Sequence, residues 1–532
     1  IRSLGYVDFL GTQAQGTPAE WYETRPWWSY LSFHDHPPLV FWLQHLSFRT
    51  IGENAFALRL PSALAGVAIV YLIFRLGRQL QDETAGLMAA ALSAVSLYLI
   101  WPSRLGLQES ITVALLLAAF ACLLHAVKNP RWWFAVWTVY GLAILAKYTV
   151  VVFLPITISY LVLFQRKVLR QKLFWLSQGL QGLVTLPLTT YNVALYLDRR
   201  HFDLQLSTLL GIDVLEWRFL PGKNIGTISE RAAEFWPMIS RTATPLLLAA
   251  TVVALVVLLV RVRQPPAAFV LLGVGWTTAL LLVVGPSPRF FVMLAPWLLL
   301  APALVLSDLA KQWTPWGKLT ATLLLAVLVG YGGWYSWTNT FATDYRGGSV
   351  WTFSLLRRES ARLGYQELDE LLQREVDAFR PSQPAAVQYP VLQDYIDRGF
   401  RRDRKKPVKP MAIAFDADLA WPTPLWYFTR RTIYHGWTAI STDGLKAAVS
   451  ARQLGALLPR EPDAQVLLVV GQNTDERRLR TESAEWFAEQ LKLGNRTPIS
   501  VIGPKDHPYF SLWLVPAASL LTLPPDAAAV TN

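Results

Sequence analysis

The stretch FHDHPPLVFWLQ, residues 33–44, sets His34, Asp35 and His36 directly before Pro37-Pro38 and a run of aromatic and aliphatic side chains. A carboxylate between two imidazoles can orient hydroxyls, accept a proton or hold a hard cation. A helix opened by Pro37-Pro38 would also present unpaired N–H groups to an anion beside His36. Further ionisable residues stand at the edges of apolar runs: Arg104 and Glu109 in WPSRLGLQES, Lys147 in GLAILAKYT and Arg289 in GPSPRFF. Charge at membrane depth is costly, so charges gathered on one side of a membrane mark function. Cations facing acids suit a phosphate, because Arg and Lys neutralise its oxygens while a carboxylate can serve as base. If the phosphate joins a sugar to a lipid, its departure leaves negative charge on oxygen, which Lys147, Arg289 and Arg104 would stabilise. No P-loop or dinucleotide glycine pattern occurs, which fits a lipid-linked donor.

Taken singly, each residue has a plainer reading. Asp35 could cap the helix after it, Glu109 could cap a span, and Lys147 and Arg289 could snorkel to head groups. The set carries the argument.

The elements that must position these residues are apolar. The chain of 532 residues is 53% hydrophobic and 16% charged and holds 23 Trp, which indicates a polytopic α-helical membrane protein. Stretches near 57–76, 84–101, 110–126, 132–147, 149–164, 173–194, 245–260, 267–284, 290–308 and 319–336 approach the ~20 apolar residues that a span needs. With a span expected upstream of Ile1, the total is about ten to eleven. The formal charge of +12 falls mainly in short connections, where it sets orientation, so nucleic acid is not an expected partner. Cys122, the only cysteine, lies in an apolar run and leaves neither a disulfide nor a cysteine metal cluster to consider.

Alternating the spans gathers Arg75, Arg78, Lys128, Arg131, Arg166, Lys167, Arg170, Lys172, Arg261, Arg263, Lys311 and Lys318 on one side, the cytoplasmic one. The opposite side receives a first loop, 1–56, a long loop, 195–243, and everything after 337. Residues 1–344 are thus expected as the transmembrane domain and 345–532 as an extracytoplasmic α/β domain. In the latter, MAIAFDADL (411–419), AQVLLVVGQ (464–472), PISVIGP (498–504) and FSLWLV (510–515) alternate with segments of helical period such as 474–493. Its basic run RRDRKKPVK (401–409) is expected as a solvated loop, with contact to anionic head groups as the alternative.

HDHPPLVFWLQ, ALRLPSALAGVAIVYLIFRLGRQL, SRLGLQESITVALLLA, GLAILAKYT and PSPRFFVMLAPWLL, in this order, resemble the C-type membrane glycosyltransferases, among them the protein O-mannosyltransferases and the lipid A aminoarabinose transferases. The resemblance covers the first third of the chain, returns near 286–300, and is weak in 195–243 and the outer domain. It implies that Asp35 and His36 lie in a sugar-phosphate site and that Glu109 fills the place of an acid after the next outer turn. Lys147 and Arg289 then match the family's lysine at an outer span end and its arginine before an aromatic pair. A first-loop Asp-Glu pair, the family's base, is not plainly present; Asp8 and Glu20 substitute by position, and the true base could lie upstream of Ile1.

The implied activity is transfer of a sugar from a polyprenyl phosphate to a lipid, glycan or protein hydroxyl at the outer face of a bacterial inner or plasma membrane. Asp8, Asp35 and Glu109 are the expected catalytic acids, and His36, Arg104, Lys147 and Arg289 the expected binding residues. No cofactor is certain; Asp35 and His36 could hold a divalent metal. A transporter or flippase of lipid-linked saccharides is the rival expectation, although it would place ionisable residues along a path through the bilayer.

Overall fold

A computed structural model describes residues 1–9, 16–212, 214, 226–311, 315–342, 348–357, 364–419, 424–451, 453, 461, 463–472, 480–503 and 506–523. The chain forms two compact units, Trp27–Ala361 and the pair Ile1–Pro26 with Arg362–Asn532. The sequence alone suggests one boundary at 344/345 and leaves the first residues with the spans. Instead Val7, Phe9 and Ala19 bury with Val391, Leu392, Ile396, Ile433 and Tyr434, so their apolar surface finds its core in the C-terminal unit.

Among the described residues of the unit Trp27–Ala361, five helices are long and apolar enough to cross a membrane: Ala55–Leu80, Gln108–Ala126, Pro265–Val284, Pro288–Lys311 and Trp316–Thr340. A sixth is added if Glu83–Ala94 and Leu97–Leu105, bent by 54° at their junction, count as one. This makes the chain an integral membrane protein. The runs at 132–147 and 149–164 become helices Trp133–Ala146 and Phe153–Phe164, of 14 and 12 residues. Between them Lys147 is extended and Tyr148–Val152 forms a tighter turn, where Thr149 and three valines disfavour the α-helix. The break places Lys147 at a helix end.

Local chemistry sets the other boundaries. Asn54 and Asp82 accept the backbone N–H groups of Ala57 and Ala85, each at 2.8 Å, and so cap the helices Ala55–Leu80 and Glu83–Ala94. These helices cross at Gly77 and Gly86, where a Cβ on Gly86 would stand 2.7 Å from the carbonyl oxygen of Phe74. An aromatic cluster ties the later helices together: Phe120 meets Phe153, Phe269 and Trp297 with ring centroids 4.9, 5.5 and 5.3 Å apart. The helices that carry Glu109 and Lys147 thereby share one core.

The other unit holds a five-stranded sheet of order β2-β1-β3-β5-β4, with β1 Met411–Phe415, β2 Ala439–Ser441, β3 Gln465–Gly471, β4 Ile499–Ile502 and β5 Pro508–Pro516. β1 pairs in parallel with β2 and β3, whereas β5 runs antiparallel to β3 and β4. Helices cover both faces. Four strands lie where the sequence places them, and the fifth, β2, is only three residues long. The helical run at 474–493 is the helix Glu482–Leu493, while 473–479 lie outside the described residues. In the basic run, Asp403 is buried and accepts from His435 at 2.7 Å and Lys406 at 3.1 Å, so this loop is anchored.

Candidate active site

The helix Leu39–Ile51 is fastened beside the turn that precedes Glu109. Gln44 donates to the carbonyl of Gly106 at 3.2 Å, Ser47 to that of Ala57 at 2.7 Å, and Ser62 to that of Leu107 at 2.9 Å. The helix cap is Pro38, without a side-chain hydrogen bond, so Asp35 does not serve as its N-cap. Asp35 instead lies 3.1 Å from the Nδ1 of His36, with 13% and 30% of the two side chains exposed. Glu109 likewise is not the cap of its helix, which is Leu107; it sits in the first turn, where the helix dipole favours a carboxylate.

Lys147 closes its helix through its backbone N–H to Ala143, and its side chain enters the protein instead of snorkelling outward. Its Nζ donates to Glu109 Oε1 at 2.7 Å and lies 4.6 Å from the centre of the Phe290 ring. Arg289, the residue before Phe290, acts electrostatically on the same Glu109. Glu109 Oε2 is buried and makes no hydrogen bond among the described residues, which leaves one acceptor open on the carboxylate that Lys147 holds. Taking charges out of water is expensive, so so dry a pair with an open acceptor suits a charged or hydroxylic ligand.

A second group, not foreseen from sequence, continues from this one. Tyr148, next to Lys147, donates its hydroxyl to Asp203, which is fully buried. Asn192 donates to the same carboxylate at 3.0 Å and accepts the Asp203 backbone N–H at 2.8 Å, while Leu206 donates its backbone N–H to Oδ1 at 3.0 Å. Burial pushes the Asp203 carboxyl above the usual range, opposed by these hydrogen bonds and by the charge of His36. Leu204 N–H donates to the carbonyl of His34 at 2.8 Å, which joins the long loop to the first loop.

The structure therefore joins Asp35 to His36 and Glu109 to Lys147, with Arg289 acting on Glu109. It seats Arg104 with its guanidinium 5.3 Å from the centre of the Phe341 ring. Asp8 belongs to the other unit, fully buried with Arg2 at 3.7 Å. There Glu20 accepts from Gly16 N–H at 3.1 Å and the Thr17 hydroxyl at 3.0 Å. Among the described residues no three His, Cys, Asp or Glu side chains gather as metal ligands, Asp35 and His36 included.

Residues 35–191 match the family model described as dolichyl-phosphate-mannose-protein mannosyltransferase. The chain is similar to the C-type membrane glycosyltransferases. The matched region contains Asp35, His36, Arg104, Glu109 and Lys147. YycA of Bacillus subtilis (strain 168), provisionally named a mannosyltransferase, is 32% identical over 111 residues, which are 20% of this chain and 16% of that protein. The match thus spans a small part of that relative's length. Among solved structures, ArnT from Cupriavidus metallidurans in the apo state has 13% identity and a TM-score of 0.47, over 98% of this chain and 96% of that one. ArnT bound to undecaprenyl phosphate gives 13% identity and 0.48 over the same shares. The Archaeoglobus fulgidus oligosaccharyltransferase in its apo form gives 11% and 0.49, over 88% of this chain and 67% of that one.

Proposed function

We propose that the protein transfers a sugar from a polyprenyl-phosphate donor to an acceptor hydroxyl at the extracytoplasmic face of a bacterial inner or plasma membrane. The observation that carries this reading is the buried pairing of Lys147 with Glu109, with the exposed Arg289 acting on the same carboxylate and with Lys147 and Glu109 inside the region that matches the mannosyltransferase family. Lys147 and Arg289 hold the donor phosphate; Glu109 orients Lys147 and offers its open oxygen to the donor. The bond from the anomeric carbon to the phosphate oxygen breaks as the acceptor oxygen attacks from the opposite side, with inversion. The two cations balance the charge left on the phosphate. Asp35, beside His36, orients sugar and acceptor, and the acceptor proton passes to a carboxylate, assigned by position in the first loop to Asp8.

Arg104, over the Phe341 ring as Lys147 is over Phe290, is the third cation of the proposed phosphate set. The basic connections on the expected inner side support the orientation, and the count of about ten to eleven spans with an extracytoplasmic domain at 345–532 is part of the same proposal. The acceptor is a lipid, a glycan or a protein. The experiment is release of labelled sugar from a polyprenyl phosphate by purified protein, its Lys147→Ala variant and its Arg289→Ala variant. The reading expects release by the wild type and its loss in both variants.

A further inference from the structure

We propose that Asp203 is a positioning residue that aims Lys147, through Tyr148, and ties the His36 loop to the same frame. This rests on the reading that Lys147 holds the donor phosphate. Lys147 is extended, so it and Tyr148 leave the chain on different sides. Lys147 reaches Glu109 and Phe290, whereas Tyr148 reaches Asp203 and Asn192. Two carboxylates, from different helix ends, thus hold two neighbouring side chains. A Tyr148 released from Asp203 would leave the backbone of the junction free to turn, and the ammonium of Lys147 with it.

Asp203 is itself over-determined. It caps the helix Leu204–Leu209 through the N–H of Leu206, exchanges hydrogen bonds with Asn192 in the helix Lys172–Arg199, and begins the segment whose Leu204 N–H holds the carbonyl of His34. His36, two residues on, acts electrostatically on the Asp203 carboxylate. A group whose two oxygens accept three donors, in a site with no exposure, is rigid enough to fix other side chains. One residue therefore links the first loop, the lysine junction and the long loop.

The test compares the wild type with Asp203→Asn and Tyr148→Phe by two readouts. The first is the rate at which a small amine-reactive reagent modifies Lys147, followed by peptide mass mapping with Lys172 as reference. The second is the division of any activity loss between donor KM, acceptor KM and kcat. The expected result is Lys147 labelling raised about tenfold by Asp203→Asn and less by Tyr148→Phe, with Lys172 unchanged. Donor KM rises by a larger factor than acceptor KM. Unchanged Lys147 labelling in both variants overturns the proposal, and so does a rise shared equally by Lys172, which marks general loosening. If Asp203→Asn does not fold, Tyr148→Phe decides, since it removes a single oxygen. A wild type that releases no sugar removes the transferase reading, while the labelling still decides the role of Asp203.

Discussion

Lys147 and Glu109, 38 residues apart in sequence, meet at 2.7 Å with almost no exposure of either side chain. The pair joins the end of one helix to the start of another, with the ammonium over the face of Phe290 and the carboxylate in the field of Arg289. A buried ion pair contributes little net stability over a well-packed apolar pair, but removing one partner strands the other charge. Its presence in a site with an open carboxylate oxygen is an argument for chemistry.

Glu109→Ala should therefore lower stability by about 3–5 kcal/mol, because it leaves Lys147 buried without its partner. The double change of Glu109→Leu with Lys147→Met should recover most of that loss and restore no transfer. Thermal unfolding in detergent checks both. A double variant as unstable as Glu109→Ala contradicts the account of the pair.

Asp8 discriminates base from brace. If it takes the acceptor proton, Asp8→Asn should reduce turnover by roughly 10²–10⁴-fold at an unchanged melting temperature. If its buried pairing with Arg2 is its whole role, the melting temperature falls and the folded fraction keeps wild-type turnover.

Much of this was legible beforehand because membrane charges are rare. Asp35, His36, Glu109, Lys147 and Arg289 stood out against apolar runs, and the structure pairs four of them and sets the fifth in the field of one pair. Asp203 did not stand out. An acid ahead of a short polar helix looks like an ordinary cap, which it also is, and its partners Tyr148 and Asn192 are 55 and 11 residues away. The strands β1, β3, β4 and β5 announced themselves by apolar runs, whereas Ala439–Ser441 is too short to show a period. The packing of Val7, Phe9 and Ala19 with Val391, Leu392 and Ile396 is a contact across some 370 residues or more, which no local pattern encodes.

The sheet unit makes a pH prediction. Burial pushes the Asp416 carboxyl above its usual range, against hydrogen bonds from Thr481, Asp418 and Gly471. The folded chain then keeps this proton where the unfolded chain has lost it. The contribution to stability is full below the ordinary value of about 4 and declines as pH rises through the folded value. The stability of wild type relative to Asp416→Asn should fall as pH rises above about 4, measured by hydrogen exchange in β1. A relative stability that climbs as pH rises above about 4 contradicts the assignment.

The crossing at Gly86 sets a packing test. A methyl there must displace the carbonyl of Phe74, so Gly86→Ala should cost about 1–3 kcal/mol of stability while the folded fraction keeps its transfer rate. An unchanged melting temperature would show that these helices have room to part.

The central claim is that Lys147 and Arg289 stabilise charge on a departing lipid phosphate. The most direct measurement is release of labelled sugar from a polyprenyl phosphate by Lys147→Ala and Arg289→Ala, each checked for folding. The account predicts losses of roughly 10²–10³-fold in turnover for each. Folded variants that both release sugar at the wild-type rate would contradict it.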